Sequence, residues 1–301
     1  MTQSQMKHLK QHPEHQTMVR IGNDIIGGGP KHKAPIIAGP CAVESLEQLR
    51  AVAATLKKLG LNSLRAGAFK PRTSPYSNQG LREEGIEMLA QIKRETGLAI
   101  VTEVMSVEHI EIAIKHGMDC LQVGSRNMQN FELLKALGKT NKPILLKRGL
   151  SATVDEWLMS AEYIMAGGNT QVILCERGIR SFDTSTRNVL DLAVVALLKE
   201  KTHLPVIVDP SHATGVKELV TPCARAAAAV GADDLIVEAH PVPHESISDK
   251  DQALNLAELA DLVKQVNAIT AAMHPLPASK PTAVGQPHPG VKQANKDGAA
   301  A

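Results

Sequence analysis

From about residue 35 to residue 270 the chain alternates between two hydrophobic patterns. The first is a short apolar run: PIIAG (35–39), SLRAG (63–67), AIVTEV (99–104), CLQVG (120–124), PILLK (143–147), QVILCE (171–176), PVIVD (205–209) and DLIVE (234–238). Most are rich in Val, Ile and Leu at consecutive positions, as a parallel strand buried on both faces requires. The second is a longer amphipathic stretch, as in SLEQLRAVAATLKKLG, GIEMLAQIKRETG and DQALNLAELADLVKQV. In the first of these Leu46, Leu49, Val52, Leu56 and Leu59 recur at three and four residues, which marks one buried helical face, and Gly60 provides the stop.

Eight strands, each followed by a helix, form either a closed barrel or a doubly wound open sheet. The count of eight favours the barrel, and no G-x-G-x-x-G follows the first run as a dinucleotide-binding sheet would want. The expected fold is therefore α/β, a (β/α)₈ TIM barrel over residues 19–274. The turn-rich segment VRIGNDIIGGGP (19–30) predicts a short hairpin capping the barrel bottom. Residues 1–18 are polar and read as a mobile arm. Residues 275–301 mix Pro, Gly, Ala and Lys without periodicity and read as a disordered tail, because they lack the apolar surface to offset ordering entropy.

Composition narrows the function classes. Lys plus Arg number 33 against 31 Asp plus Glu, a formal charge of +2, which does not suit a general nucleic-acid binder. Three Phe, two Tyr and one Trp are too few for a base-stacking platform. No apolar run approaches the roughly 20 residues that span a bilayer, and the N-terminus has no signal-peptide core, so a cytoplasmic protein without a membrane partner is expected. Four cysteines in 301 residues make no disulfide framework.

In such a barrel, chemistry sits where the strands end. All eight runs place polar or ionisable groups there: Cys41, Arg65 with Lys70, Glu103, Arg126, Lys147 with Arg148, Arg177, Asp209 with His212, and Glu238 with Asp249 eleven residues on. Singly, each has an ordinary reading, as a buried thiol, a loop His or a solvated salt bridge. Together they do not. Arg65, Lys70, Arg126, Lys147 and Arg177 converging on one rim would repel one another unless anionic ligands occupy the mouth, which points to two phosphates or to a phosphate and a carboxylate. Cys41, His212, Glu238 and Asp249 offer S, N and O donors suited to Mn, Fe, Co or Zn. Their spacing is not a local motif; only barrel closure would unite them. Cys120, Cys175 and Cys223 read as structural.

The segments IIAGPCAVES (36–45), RAGAFKPRTSP (65–75), LQVGSRNMQN (121–130), LLKRG (145–149), DPSHATG (209–215) and VEAHPVPHESISDKDQAL (237–254) resemble 3-deoxy-7-phosphoheptulonate (DAHP) synthase, in its compact branch. The resemblance spans roughly residues 19–270. It implies condensation of phosphoenolpyruvate with erythrose 4-phosphate, the first step of the shikimate pathway. It implies Cys41, His212, Glu238 and Asp249 as metal ligands, and Arg126, Lys147 and Arg177, with Arg65 close by, as the phosphoenolpyruvate clamp. Lys70, Arg72, Thr73 and Ser74 would contact the aldose phosphate, and Glu103 would lie near the attacking water. Lys147 would act as general acid or as an electrostatic stabiliser. The sister synthase that uses arabinose 5-phosphate typically carries K-A-N-R-S-S where this chain has Lys70-Pro71-Arg72-Thr73-Ser74, and some of its members replace the metal-site Cys by Asn. A catalytically silent phosphometabolite-binding barrel is the non-enzymatic alternative, and the presence of all four ligand types weighs against it. Relatives are commonly tetramers, and a separate chorismate mutase is a conceivable partner. Only residues 1–34 precede the first run, too short for an appended chorismate-mutase or regulatory domain, so no feedback inhibition by Phe, Tyr or Trp alone is expected; micromolar inhibition of the isolated enzyme would refute this.

Overall fold

The computed structural model describes residues 6–29, 35–70, 74 and 76–273. Among these residues eight parallel strands close into one barrel: β3 (Ile36–Gly39), β4 (Ser63–Arg65), β5 (Ala99–Glu103), β6 (Cys120–Val123), β7 (Ile144–Lys147), β8 (Val172–Glu176), β9 (Val206–Val208) and β10 (Asp234–Glu238), the last pairing with β3. Before them β1 (Met18–Ile21) and β2 (Asp24–Gly27) form an antiparallel hairpin. The outer ring is α1 (Leu46–Lys58), α2 (Arg82–Thr96), α3 (Val107–Lys115), α4 (Phe131–Gly138), α5 (Val154–Ala166), α6 (Leu192–Lys201), the single turn α7 (Pro210–Thr214), α8 (Lys217–Ala229) and α9 (Leu256–Met273). Side-chain caps start several helices. Ser45 accepts from Gln48 N, Ser106 from His109 N, and Thr153 forms a reciprocal capping box with Glu156. No helix among the described residues is long and apolar enough to cross a membrane.

Strand residues alternate between two cores. Leu64, Ile100, Leu121, Leu146, Leu174, Val208 and Val237 pack outward against the helices. Ile37, Val101, Cys120, Leu145, Ile173, Cys175, Ile207 and Ile236 pack inside the barrel, together with Val19, Ile21 and Ile26 of the hairpin. The hairpin therefore plugs the end at which the strands begin. Gly22 turns it with φ of +56°, and a side-chain carbon there would lie 2.6 Å from Ala99 Cβ. Because strand side chains alternate with a period of two, the inward positions next in line towards the opposite end are Arg65, Glu103, Gln122, Lys147, Arg177, Asp209 and Glu238. On β3 the equivalent position is Gly39. Its φ is +153°, and a Cβ would sit 2.1 Å from the Arg65 carbonyl oxygen.

Two expectations change. Part of the stretch read as a mobile arm is docked: Lys7 N and His8 N donate to Glu162, His8 Nδ1 lies 2.8 Å from the same carboxylate, and Leu9 bridges to Thr202. Thr17 N donates to the His203 carbonyl, and His203 Nε2 lies 2.6 Å from the Lys7 carbonyl. Half-buried Glu162 on α5 and the buried Thr202 and His203 after α6 thus find partners in a segment with no apolar periodicity. Helix α9 starts at Leu256 rather than at residue 251, because the Asn255 side chain accepts from Ala257 N and Glu258 N, leaving 251–255 as loop. The tail at 275–301 lies outside the described residues.

The barrel plug sets a stability prediction. Ile21 is fully buried. Ile21→Ala is expected to destabilise the protein by about 2–5 kcal/mol through the cavity it leaves. Chemical denaturation checks this, and an unchanged midpoint would show that the hairpin does not pack as described.

Candidate active site

At the strand C-termini a cavity of about 540 Å³ opens, lined by Arg65, Lys70, Ser74, Glu103, Gln122, Arg126, Lys147, Arg177, Arg187, His212 and Asp249, among others. Beside it the donor atoms of Cys41, His212, Glu238 and Asp249 lie within 4.8 Å of one another. The closure of β10 on β3, with Glu238 in register with Gly39, sets Cys41 next to Glu238. The motif Asp209-Pro210-Ser211-His212 becomes a capped turn. Asp209 Oδ1 accepts from His212 N, Pro210 opens α7, and Asp209 Oδ2 lies 2.7 Å from His212 Nδ1. That contact leaves His212 Nε2 facing Glu238 Oε1 at 3.2 Å. Ser211 Oγ accepts from Glu238 N, tying α7 to β10.

The quartet passes the test of a metal site. Burial pushes the Cys41 thiol up to about 12, with Glu238 adding to the rise and Lys70 opposing it. Cys41 Sγ donates to Asp249 Oδ2 at 2.9 Å. Burial lowers His212 against the pull of Asp209 and Glu238, which favours the neutral imidazole a metal needs. Burial opposes charge on Glu238, but His212 and Arg65 outweigh it and hold the carboxyl low; Asp249, set against burial by His212, is likewise held low. Two carboxylates, an imidazole and a thiol that a cation would deprotonate form one S/N/O set whose donor atoms lie within reach of a single ion.

The five cations differ in their partners. Arg65 Nη1 pairs with Glu238 at 2.6 Å, and this ion pair raises Arg65 although burial opposes it. Arg65 Nε is buried and has no hydrogen-bond partner among the described residues. Lys147 Nζ pairs with Asp209 Oδ2 at 2.5 Å. Lys70 Nζ donates to the Cys41 carbonyl and reaches its Sγ at 2.8 Å. Among the described residues Arg177 donates only to the backbone carbonyls of Gly178 and His212, and burial, with Arg187 adding to it, lowers it despite Asp209. Arg126 has no carboxylate partner among the described residues. The expectation that all five cations rely on ligands for balance is thus corrected: Asp209 and Glu238 neutralise two of them internally, while Lys70, Arg126 and Arg177 face the cavity without a carboxylate.

Glu103 lines the same cavity and accepts from Gln122 Nε2 at 3.2 Å. Gly124 makes room for it, since a Cβ there would meet Glu103 Oε1 at 2.1 Å. Ser74 lines the cavity; Arg72 and Thr73 lie outside the described residues. Sequence reasoning assigned no site role to Asp209, Gln122, Arg187 or Gln252. Strand alternation could have singled out Asp209 and Gln122, as inward positions one step beyond Ile207 and Cys120. Arg148, also at a strand end, points away from the mouth, pairs with Glu176 and Asp191, and lies over Trp157.

The family model of the DAHP synthetase I family matches residues 13–274. A phospho-2-dehydro-3-deoxyheptonate aldolase of Thermotoga maritima is 47% identical over 262 residues, covering 87% of this chain and 76% of that protein. The crystal structure of a phospho-2-dehydro-3-deoxyheptonate aldolase (DAHP synthase) from Thermotoga maritima superposes with a TM-score of 0.84 at 45% identity, covering 89% of this chain and 77% of that one. A 2-dehydro-3-deoxyphosphooctonate aldolase of Syntrophotalea carbinolica is 30% identical over 267 residues, covering 82% of this chain and 94% of that protein.

Removing the sulfur donor tests the quartet. Cys41→Ala is expected to keep the fold by circular dichroism but to lose stoichiometric divalent metal by elemental analysis; a metal-replete variant would reduce Cys41 to packing.

Proposed function

The chain belongs to the DAHP synthetase I family, and we propose that it condenses phosphoenolpyruvate with erythrose 4-phosphate, giving 3-deoxy-D-arabino-heptulosonate 7-phosphate and inorganic phosphate. The observation that carries this reading is the division of one mouth into a four-donor metal cluster and a set of cavity-facing cations without carboxylate partners. The substrates bring two phosphates and a carboxylate, the charges that such a mouth lacks.

In this reading Arg126, Lys147 and Arg177 clamp the phosphate and carboxylate of phosphoenolpyruvate, with the unpartnered Arg65 Nε beside them. Lys70 and the Arg72-Thr73-Ser74 segment hold the aldose phosphate. Fixed alignment of the two reactants lowers the barrier by several kcal/mol, on the order of the effect of other well-oriented reactions. Cys41, His212, Glu238 and Asp249 would hold a divalent ion, with Mn, Fe, Co and Zn all compatible with the mixed donors, and when bound it would supply Lewis-acid polarisation of the aldehyde. The nucleophile is C3 of phosphoenolpyruvate: the C2=C3 π pair forms the bond to the aldehyde carbon and leaves cationic character at C2, while the carbonyl π pair passes to the aldehyde oxygen. The aldehyde oxygen gains a proton, and Lys147 Nζ, hydrogen-bonded to Asp209 and 3.5 Å from His212 Nδ1, is placed to stabilise the developing charge or to donate that proton. Water adds at C2, where Glu103, steadied by Gln122, accepts its hydrogen bond. Phosphate then leaves by C–O cleavage.

Greater identity to the heptulosonate enzyme, 47% against 30%, and the Pro71-Arg72-Thr73 sequence favour the four-carbon aldose over arabinose 5-phosphate. A parallel assay tests the reading. Phosphate release should require an aldose phosphate, should favour erythrose 4-phosphate by at least ~10-fold in kcat/KM, and should stop on chelation and return with Mn²⁺. Preference for arabinose 5-phosphate would transfer the chain to the other reaction, and full turnover after exhaustive chelation would remove the metal.

A further inference from the structure

Two of the four donors are joined by a hydrogen-bonded relay that makes no contact with Cys41 or His212. Glu238 Oε2 accepts from Gln252 Nε2 at 2.5 Å. Gln252 Oε1 accepts from Arg187 Nη1 at 2.8 Å, and the same nitrogen donates to Asp249 Oδ1 at 3.0 Å. A guanidinium has no acceptor, so the amide of Gln252 can face only one way between Arg187 and Glu238. Gln252 is 2% exposed and lies in the loop before α9. Arg187 comes from the β8–α6 loop; its backbone N donates to Thr214 O, and its Cβ packs where Gly215 has none to offer.

Asp249 needs such support. It is a non-glycine residue in the left-handed region, with φ of +54°, in a loop rather than on a strand. Its other side-chain hydrogen bonds among the described residues are with Cys41 and the neighbouring Ser248. Glu238, by contrast, is fixed at the end of β10, with Arg65 and His212 on its other oxygen. The relay ties the loop carboxylate to the strand carboxylate through a third element.

We propose that Arg187 and Gln252 are positioning residues that set the spacing of the two carboxylate ligands and thereby the affinity of the site for its divalent ion. The proposal rests on the metal-dependent reading above. Within the relay each acts through Glu238 or Asp249.

The test is Mn²⁺ binding to the full chain, followed by the electron paramagnetic resonance signal of the free ion, for the native protein, Gln252→Met, Arg187→Met and the double variant. Gln252→Met conserves volume, and Arg187 is partly exposed, so that at least one variant is expected to fold; the thermal midpoint without metal checks both. Each single variant should weaken binding by about 10–100-fold, the range for outer partners of metal ligands, and the double variant should lose no more than the weaker-binding single one. With Co²⁺, the near-ultraviolet thiolate-to-metal charge-transfer band should persist while the visible ligand-field bands shift, because Cys41 is retained while carboxylate geometry alters. Native affinity in folded Gln252→Met, tighter binding in Arg187→Met, or additive losses would overturn the relay while leaving the metal site standing. Absence of binding to the native chain would instead overturn the metal-dependent reading, and the relay with it.

Discussion

The seam between β10 and β3 is the constraint on which the rest of the structure depends. Its register sets Glu238 beside Gly39, and two residues further on the chain presents Cys41. Without that closure the strand carrying the acidic ligand and the one leading to the sulfur ligand would be opposite edges of an open sheet. Gly39 is required at the seam because the Arg65 carbonyl passes within 2.1 Å of where a Cβ would be. Closure and site assembly are thus one event, driven by burial of two concentric apolar layers.

Electrostatics then decides how a crowded polar mouth can exist. Burying a charge is costly unless it is paired, and the pairs here serve the site itself. Asp209 neutralises Lys147 and orients His212; Glu238 neutralises Arg65 and accepts from His212 and Gln252. Removing either acid would leave a buried cation and a misdirected donor together. The cations that lack a carboxylate, Arg126, Arg177 and Lys70, line the open cavity, where an anionic ligand can reach them. Stability requirements and ligand recognition therefore divide the same set of residues between them.

Much of this was legible in the chain. Eight apolar runs, their helical partners and the polar residue at each run's end are local features, and the period of two along a strand projects them onto one rim. The hairpin was legible from its turn-rich composition, and Cys41, His212, Glu238 and Asp249 from their residue types and motifs. The docked segment at residues 7–17 was not, because its attachment depends on Glu162 and His203, more than 150 positions away. Arg187 and Gln252 were equally hidden: a loop Arg and a loop Gln carry no periodic or chemical signal until a carboxylate is found next to each.

The sequence by itself determined the (β/α)₈ order, the inward and outward faces of the strands, and the chemical inventory at the mouth, since these follow from side-chain period and residue type. Only the tertiary structure decided which cation is neutralised and which is left for a ligand, which nitrogen of His212 faces the other donors, and how Asp249 is held in a left-handed loop. Those outcomes are set by distances of about 3 Å between residues tens to hundreds of positions apart, and no local pattern encodes such distances before the barrel closes.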